Sequence, residues 1–320
     1  MASKILEKVI MKTGVPDLVN ILSDQLTPSE LQSLMLAVYN QQAQQVSLKK
    51  LFEEYLSSRF VAPSEIPQSQ YIKFDSIAIK NLPAYYETLD ISPVSPMGSC
   101  SAMTNLSQNR IITTCRSNEV IADSTNYLAL ECVKRRKINL QTDPKSTVPI
   151  RLATSHRLIR GQAFTGEKFT AHFRVFSLCS AGRDTGHMKF ETTHLKEHIG
   201  FYLLLFKKLL SIPGDADVEV FLTDYSKKHV DQLWKEVAQP LSKKYSNIQV
   251  SFDQHREAAK NYYGDICFRI NLTGKTGESY DLVDGGFTNW TQKMISNDKE
   301  RLLTSGLGTE LLLKTFDVEL

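Results

Sequence analysis

The chain up to about residue 58 carries apolar residues at the spacing of α-helices. Thr27 opens the sequence T-P-S-E, a capping box in which Pro28 takes the first helical position and Glu30 reaches back to the helix start. A helical face follows, with apolar side chains at Leu31, Leu34, Met35 and Val38. A further helix is predicted from Ser47.

The composition changes after these helices. Residues 59 to 70, RFVAPSEIPQSQ, contain two prolines and small polar side chains, which is typical of a linker. We therefore expect residues 1–70 to form an N-terminal helical region with its linker, and residues 71–320 to form a separate core. The helical region is interpreted as a packing or dimerisation element rather than a ligand site.

Strand patterns dominate the later part of the chain. VEVFLTD and IQVSF flank a helical segment, and YGDICFRINL and SYDLVDGG form a predicted antiparallel pair joined by the turn GKTG. This order predicts an α+β fold with a mostly antiparallel sheet flanked by helices. The sequence contains no glycine-rich loop of the Walker or dinucleotide type, so it does not support a P-loop or Rossmann site.

The charge of the chain does not indicate a nucleic-acid binder. The formal net charge is only +3, and charged residues make up 23%. The densest basic run is Lys134, Arg135, Arg136 and Lys137. A solvated helix end is the favoured interpretation of this run, and a phosphate-contacting patch is the alternative. A tRNA or other RNA partner therefore stays open.

The cysteines and the N-terminus indicate a protein of the reduced cytoplasm. The five cysteines are scattered and show no C-x-x-C spacing, which argues against a disulfide framework or a cysteine zinc site. The first residues are too charged for a signal peptide. No apolar run approaches the roughly 20 residues of a membrane span, so we expect no membrane association.

A short motif raises a zinc peptidase as a minor alternative. His194, Glu197 and His198 form H-x-x-E-H, in which two histidines one helical turn apart could share a zinc ion with Glu197 as base. The motif lies in a strongly apolar helical segment. We favour a solvated or hydrogen-bonded histidine pair near the helix surface.

The segment from residue 151 to 178 predicts a hairpin with binding chemistry. A strand ends near Arg160, a polar loop follows, and a second strand returns from about Ala171. Such a hairpin can place Arg160 and His172 toward one face, where the planar fork of an arginine can grip a phosphate. Phe176 supplies an aromatic ring that could stack on a flat ligand ring.

This hairpin resembles motif 2 of the class II aminoacyl-tRNA synthetases. Two further segments resemble the histidyl type of that family, in the correct order. Tyr262 and Tyr263 match its Tyr-Tyr signature, and Gly285 and Gly286 match its Gly-Gly segment. Gly306, Gly308 and Glu310 match motif 3. The resemblance covers roughly residues 75 to 318, and we expect no anticodon-binding domain.

The resemblance implies a role for each matching residue. Arg160 would contact the α-phosphate of ATP as the catalytic residue, His172 the outer phosphates, and Phe176 the adenine. Gly308 and Glu310 would complete the nucleotide site, with Mg²⁺ as the accompanying ion. The amino-acid pocket would contain Glu131, as the carboxylate that binds the substrate amine, together with Tyr262, Tyr263, Gly285 and Gly286. The resemblance also implies a homodimer.

Several positions depart from the family pattern. The acidic residue that follows the motif 2 arginine is Gln162 here, and two arginines of the family fall at Ala258 and Leu311. Arg256 lies near the first of these lost positions. Each lost contact to a transition state commonly costs about 2–4 kcal/mol. We therefore favour a non-charging or regulatory paralogue that binds an amino acid or adenine nucleotide; the alternative is an ATP-dependent ligase that forms an aminoacyl-adenylate.

Overall fold

An eight-stranded sheet runs through the computed structural model, which describes residues 2–104, 106–162, 169–210, 216–258, 260 and 262–320. The strands are β1 (Glu87–Thr88), β2 (Val94–Pro96), β3 (Asn118–Val120), β4 (Ile150–Ile159), β5 (His172–Arg183), β6 (Ala216–Asp224), β7 (Gln249–Phe252), β8 (Ile266–Gly274), β9 (Ser279–Thr288) and β10 (Glu300–Gly308).

Twelve α-helices lie within the described residues. They are α1 (Ala2–Thr13), α2 (Leu18–Asn20), α3 (Pro28–Gln44), α4 (Leu48–Ser57), α5 (Gln68–Asn81), α6 (Ser99–Thr104), α7 (Ser124–Thr142), α8 (Lys189–Leu209), α9 (Val230–Leu233), α10 (Gln239–Lys244), α11 (Trp290–Ile295) and α12 (Thr309–Thr315). Ile21–Gln25 and Trp234–Ala238 form π-helical turns, and Gln108–Arg110 forms a 3-10 turn. None of the helices in the described part of the chain is long and apolar enough to cross a membrane.

The strand order confirms the predicted fold class. The large sheet has the order β1-β4-β5-β10-β9-β8-β6-β7, while β2 and β3 form a separate pair. Its five central pairings are antiparallel, and the pairings of β1 with β4 and of β6 with β7 are parallel. The turn between β8 and β9 closes where Gly277 donates its amide to the Gly274 carbonyl, which confirms the hairpin predicted at GKTG.

Side chains of β5 alternate between two apolar cores, because successive residues of a strand point to opposite faces of the sheet. Phe176 and Leu178 enter the larger core, which α5, α8 and α12 cover. Cys179 enters the smaller core, where it joins Leu128 and Cys132 of α7. Each side chain of β5 therefore points either to the face of the sheet covered by α8 (the α8 side) or to the face covered by α7 (the α7 side).

The N-terminal helices form as predicted but leave their side chains outside both cores. At the capping box, the Thr27 amide donates to Glu30 at 2.7 Å and the Glu30 amide donates to Thr27 Oγ1 at 3.3 Å. Neither α3 nor α4 contains a buried residue. The boundary placed at residue 70 stays a prediction.

The predicted linker lies against the end of the sheet where β4 finishes. The Arg59 guanidinium donates to the carbonyls of Gly161 and Gln162 at 2.7 and 3.2 Å. Ser64 Oγ donates to the Glu310 carboxylate at 3.0 Å. The linker therefore contacts both segments that resemble nucleotide-binding motifs.

Arg136 corrects the expectation that the basic run at residues 134–137 is a solvated helix end. Its side chain is fully buried, and it donates to the two carboxylate oxygens of Glu300 at 2.8 and 2.9 Å. It also donates to the carbonyls of Ser146 and Val148. The pair ties α7 to the start of β10.

We predict that Arg136→Met lowers the free energy of unfolding by about 3–5 kcal/mol, because Glu300 is left buried without its cationic partner. Urea denaturation followed by circular dichroism measures the change. Lys134→Met removes the same charge from a side chain that is 67% exposed on the same helix, and should change the value by less than about 1 kcal/mol. Similar losses for both variants would contradict the structural role of the buried pair.

Candidate functional site

A cavity of about 610 Å³ opens over the α7 side of the sheet. Its charged lining residues are Asp123, Arg160, Glu257, Lys260 and Asp284, and its polar ones include Thr125, Tyr262 and Tyr263. A narrower slot of about 170 Å³ adjoins it and is lined by Arg160, Phe169, Phe173, Gly308 and Leu311, among others. Arg160 and Gly308 belong to both walls, so the cavity and the slot form one continuous candidate site.

Arg160 is held in place at the junction of cavity and slot. Its amide donates to the Ala171 carbonyl at 2.9 Å, and its Nε donates to the Ala122 carbonyl at 2.9 Å. The guanidinium carbon lies 5.2 Å from the centre of the Phe173 ring. Within the described residues its two terminal nitrogens have no hydrogen-bond partner, so they are available to a ligand. The polar loop beyond it, residues 163–168, lies outside the described residues.

The interpretation of Phe176 as the ring-stacking residue is wrong. The Phe176 side chain is 1% exposed and packs in the larger core, with its ring 5.6 Å from that of Phe201 and 6.4 Å from that of Phe74. Phe173 lies three positions earlier in β5, on the opposite face, and lines the slot beside Arg160. Sequence reasoning missed Phe173, although the two-residue period of a strand separates it from Phe176.

His172 also lies away from the cavity and the slot, which corrects its assignment to the outer phosphates. Its Nδ1 accepts a hydrogen bond from Arg157 at 3.0 Å, and its Nε2 donates to the Ala62 carbonyl at 2.6 Å. Arg157 donates further to Glu310 at 3.0 Å. His172 therefore connects the linker to the end of the sheet, and both of its ring nitrogens are occupied.

Asp123 is a carboxylate of the cavity lining that sequence reasoning missed. Asp123 caps α7, and its Oδ1 accepts hydrogen bonds from the amide and hydroxyl of Thr125 at 2.9 and 2.8 Å. Its Oδ2 accepts from the Tyr262 hydroxyl at 3.0 Å. The available signal was the sequence D-S-T directly before a helical pattern, which is typical of an N-cap.

Glu131 is not the amine-binding carboxylate that the resemblance implied. It lies two turns into α7, where its carboxylate pairs with Lys134 at 3.2 Å and with Arg135 at 2.9 Å. Arg135 in turn pairs with Glu87. Glu131 therefore belongs to a surface ion-pair network and lies outside the cavity lining.

The tyrosine pair forms one wall of the cavity. The rings of Tyr262 and Tyr263 lie edge to face with 4.7 Å between their centres, and Trp290 packs against Tyr262 at 5.5 Å. Burial raises the pKa of both tyrosines well above the ordinary value. Their hydroxyls therefore remain protonated and can act as hydrogen-bond donors at neutral pH.

The two adjacent glycines of β9 make room for this wall. A Cβ on Gly285 would lie 2.5 Å from Ser305 Cβ, and a Cβ on Gly286 would lie 2.6 Å from the Tyr263 ring. No side chain fits at either distance. Gly286 therefore allows close packing behind Tyr263, whereas Gly285 lies against Ser305 and Phe268 on the opposite face of β9. Neither glycine lines the cavity.

The segment that resembles motif 3 contributes the apolar side chain of Leu311 to the slot and the carboxylate of Glu310, which is already hydrogen-bonded within the protein. Gly308 ends β10 between the cavity and the slot, and Leu311 faces the slot where the family carries an arginine. Glu310 is 1% exposed; burial alone would raise its pKa, but hydrogen bonds from Tyr71 and Ser64 and the nearby charge of Arg157 lower it below its usual value. Glu310 is therefore ionised.

Arg256 does not replace the arginine that is missing at Ala258. Its guanidinium donates to Asp284 Oδ1 at 2.9 Å and lies 3.5 Å from Cys267 Sγ, with 7% of its side chain exposed. The Ala258 carbonyl accepts a hydrogen bond from Tyr225 at 2.8 Å. The guanidinium of Arg256 thus forms an ion pair with Asp284 of the cavity wall.

The histidines of the H-x-x-E-H motif are hydrogen-bonded, as predicted, but their expected position near the helix surface is wrong, because His194 and His198 are buried. His194 Nδ1 lies 3.0 Å from Glu197, and His198 lies 2.9 Å from Ser180 Oγ and 2.7 Å from Ser305 Oγ. Glu197 also accepts two hydrogen bonds at 2.8 Å from Arg151. Among the residues that the structure describes, no group of three histidine, cysteine or acidic side chains could hold a metal ion. This arrangement argues against a zinc peptidase.

A second cavity of about 540 Å³ lies at the N-terminal end of α8. Its main charged groups bond to one another: Arg301 donates to Glu191 at 2.8 Å and to Asp184 at 2.9 Å. Arg301 is fully engaged in this way, whereas the terminal nitrogens of Arg160 in the first cavity have no partner among the described residues. The first cavity is therefore the better candidate for ligand chemistry.

Comparison with known proteins shows the fold. No protein-family model and no curated protein matches the chain. Solved structures do: a histidyl-tRNA synthetase from S. aureus (13% identity, 78% of this chain and 69% of that chain, TM-score 0.54) and an ATP phosphoribosyltransferase regulatory subunit/histidyl-tRNA synthetase from Bacillus halodurans (12%, 79% and 82%, TM-score 0.51). A putative threonyl-tRNA synthetase from Aeropyrum pernix also matches (12%, 76% and 58%, TM-score 0.56). The chain has a class II synthetase-like fold.

We predict that stability decreases as the pH falls from 6.5 to 5. Burial lowers the pKa of His198 to about 3 from an ordinary value of 6.5, so in this range the unfolded chain binds a proton that the folded chain does not. His198 alone should contribute about 1.4 kcal/mol per pH unit. Urea denaturation across this range measures the slope. His198→Gln should flatten it, whereas His255→Gln, at an exposed position, should not; an unchanged slope in His198→Gln would refute this assignment.

Proposed function

We propose that the chain binds an adenine nucleotide and an amino acid in a non-charging, regulatory role. The observation that carries the proposal is the meeting of Phe173 and Arg160 at the wall shared by the slot and the cavity. The Arg160 guanidinium lies over the Phe173 ring, with its carbon 5.2 Å from the ring centre, so a cation and an aromatic ring meet in the wall. Together they suit a ligand that joins a flat ring to a phosphate.

The slot fits the base of a nucleotide. Phe173 and Leu311 line it, and an aromatic face beside an aliphatic side chain favours a flat apolar ring. The terminal nitrogens of Arg160 would hold the adjoining phosphate. No cluster in the described part of the chain could hold a metal ion by itself, so Mg²⁺ is proposed only as an ion carried by the phosphates.

The cavity fits an amino acid. Asp123, already oriented by Thr125 and Tyr262, would accept an ammonium group at its Oδ2. Lys260 lies in the same lining, where its Nζ is 3.4 Å from the Glu257 carboxylate. Because both side chains are exposed, this ion pair is weak, and Lys260 would exchange it for a ligand carboxylate. Opposite charges at two places in one cavity are the complement of a zwitterion.

Two features favour binding without ordinary charging. The positions of two phosphate- or carboxylate-contacting arginines are held by Ala258 and Leu311, and each such loss commonly costs about 2–4 kcal/mol in a transition state. Arg256 is paired with Asp284 and does not compensate. One structural neighbour is described as an ATP phosphoribosyltransferase regulatory subunit/histidyl-tRNA synthetase, so the fold serves a regulatory protein in that case.

An adenylating ligase is the second candidate, because Arg160 is retained and its terminal nitrogens have no hydrogen-bond partner in the described part of the chain. A role in RNA binding has less support. In the basic run at residues 134–137, Arg136 is buried against Glu300 and Arg135 is paired with Glu87 and Glu131. These two arginines are therefore not available to bind the phosphates of an RNA.

Ligand screening separates these candidates. Thermal-shift measurements against nucleotides and the twenty amino acids identify the ligand, and ATP–pyrophosphate exchange with each hit tests activation. The proposal expects stabilisation by an adenine nucleotide and by an amino acid, without exchange. Exchange that depends on one amino acid would establish the ligase instead, and the absence of stabilisation by any nucleotide would refute the proposed site.

We predict that Asp123→Asn weakens amino-acid binding by at least about tenfold, because the variant removes the charge that pairs with the ammonium group. Asparagine is also a good N-cap, so α7 and the melting temperature should be retained. Isothermal titration calorimetry measures the dissociation constant. Asp143→Asn, at the exposed end of the same helix, is the matched control; equal effects of both variants would remove Asp123 from the site.

A further inference from the structure

Helix α4 carries an apolar face that the described part of the chain leaves uncovered. Its five large apolar side chains are between 48% and 84% exposed: Leu48, Leu51, Phe52, Tyr55 and Leu56. Their spacing places them on one side of the helix. We call these five residues the α4 stripe. Isolated exposed apolar residues are common, but a continuous stripe of this kind marks an interaction surface.

The charges beside the α4 stripe are arranged in two blocks. Lys49 and Lys50 lie toward the N-terminal end, and Glu53 and Glu54 lie toward the C-terminal end. Lys49 and Glu53 are 89% and 63% exposed, with 4.0 Å between their charged atoms. The four charges cancel, so α4 is not attracted to an anionic surface such as a membrane or a nucleic acid.

We propose that the α4 stripe pairs with the α4 stripe of a second copy of this chain, with the two helices antiparallel. A two-fold axis that passes between Leu51 and Phe52 reverses the order of the charge blocks. It brings the lysines of one copy opposite the glutamates of the other, and the same contact is made twice. Parallel pairing would instead set lysines beside lysines and glutamates beside glutamates.

The size of the surface defines the kind of assembly. A helix of 10 residues is about 15 Å long, so one pair of helices buries less than the roughly 1,200 Å² of standard stable interfaces. The α4 pair is therefore a weak contact that forms at high protein concentration. The linker that follows α4 contacts Gly161 and Glu310 through Arg59 and Ser64, so the C-terminal end of α4 is connected to the proposed nucleotide site.

A charge-reversal series tests the antiparallel pairing. Sedimentation velocity over a range of concentrations should show the wild-type chain moving from a 36.2 kDa monomer toward a dimer. The double variants Lys49→Glu with Lys50→Glu, and Glu53→Lys with Glu54→Lys, should each dimerise about tenfold more weakly or worse, since like charges then face each other. An equimolar mixture of the two should form a heterodimer, and the fourfold variant that exchanges both blocks should dimerise like the wild type.

Apolar variants give the matched control. Leu51→Ser in the α4 stripe should abolish dimerisation, whereas Ile138→Ser, a similarly exposed side chain of α7, should leave it unchanged. A wild-type chain that stays monomeric at all concentrations would overturn the proposal. So would a dimer that all charge variants retain, because its interface would then lie elsewhere on the chain. Failure of the fourfold variant to dimerise would overturn the antiparallel arrangement.

Discussion

The two-residue alternation of β5 is the constraint on which the site depends. Phe173 and Val175 point to the α7 side and line the site, whereas Phe176 points to the α8 side and fills the larger core. If β5 shifted its register by one residue, the side chains that line the site and those that fill the larger core would exchange faces. The tight packing of the core forbids this shift. The neighbouring strands follow the same register: β4 ends just before Arg160, and Gly308 of β10 pairs with Val175.

Local sequence patterns predicted the helices, strands and turns well, but not which side chains of a strand face the site and which face the core. The capping box at Thr27 and the GKTG turn act over three or four residues, so the sequence alone reveals them. The choice between Phe173 and Phe176 depends on the register after a loop, which the spacing from Arg160 does not determine. The burial of Arg136 depends on Glu300, 164 residues away, and no local pattern reports such a partner.

The candidate site combines a retained framework with altered charges. The tyrosine wall and the orientation of Arg160 are built by packing and backbone hydrogen bonds. Leu311 and Ala258 place apolar side chains at two positions where the family pattern has arginines. A pocket of this kind can hold a ligand through contacts made in the ground state, while transition-state contacts are fewer. This difference is the physical basis for proposing a binding role on the class II synthetase-like fold.

The most direct test of this account is the affinity of the chain for ATP when Phe173 is changed. We predict that titration calorimetry detects ATP binding by the wild-type chain, and that Phe173→Ala weakens it by about tenfold or more through loss of ring stacking. Phe173 also packs against the smaller core, so circular dichroism at the titration temperature must show that the variant is still folded. Tyr85→Ala, an exposed ring outside the site, should bind ATP like the wild type. Unchanged affinity in Phe173→Ala would contradict the assignment of the slot to a nucleotide base.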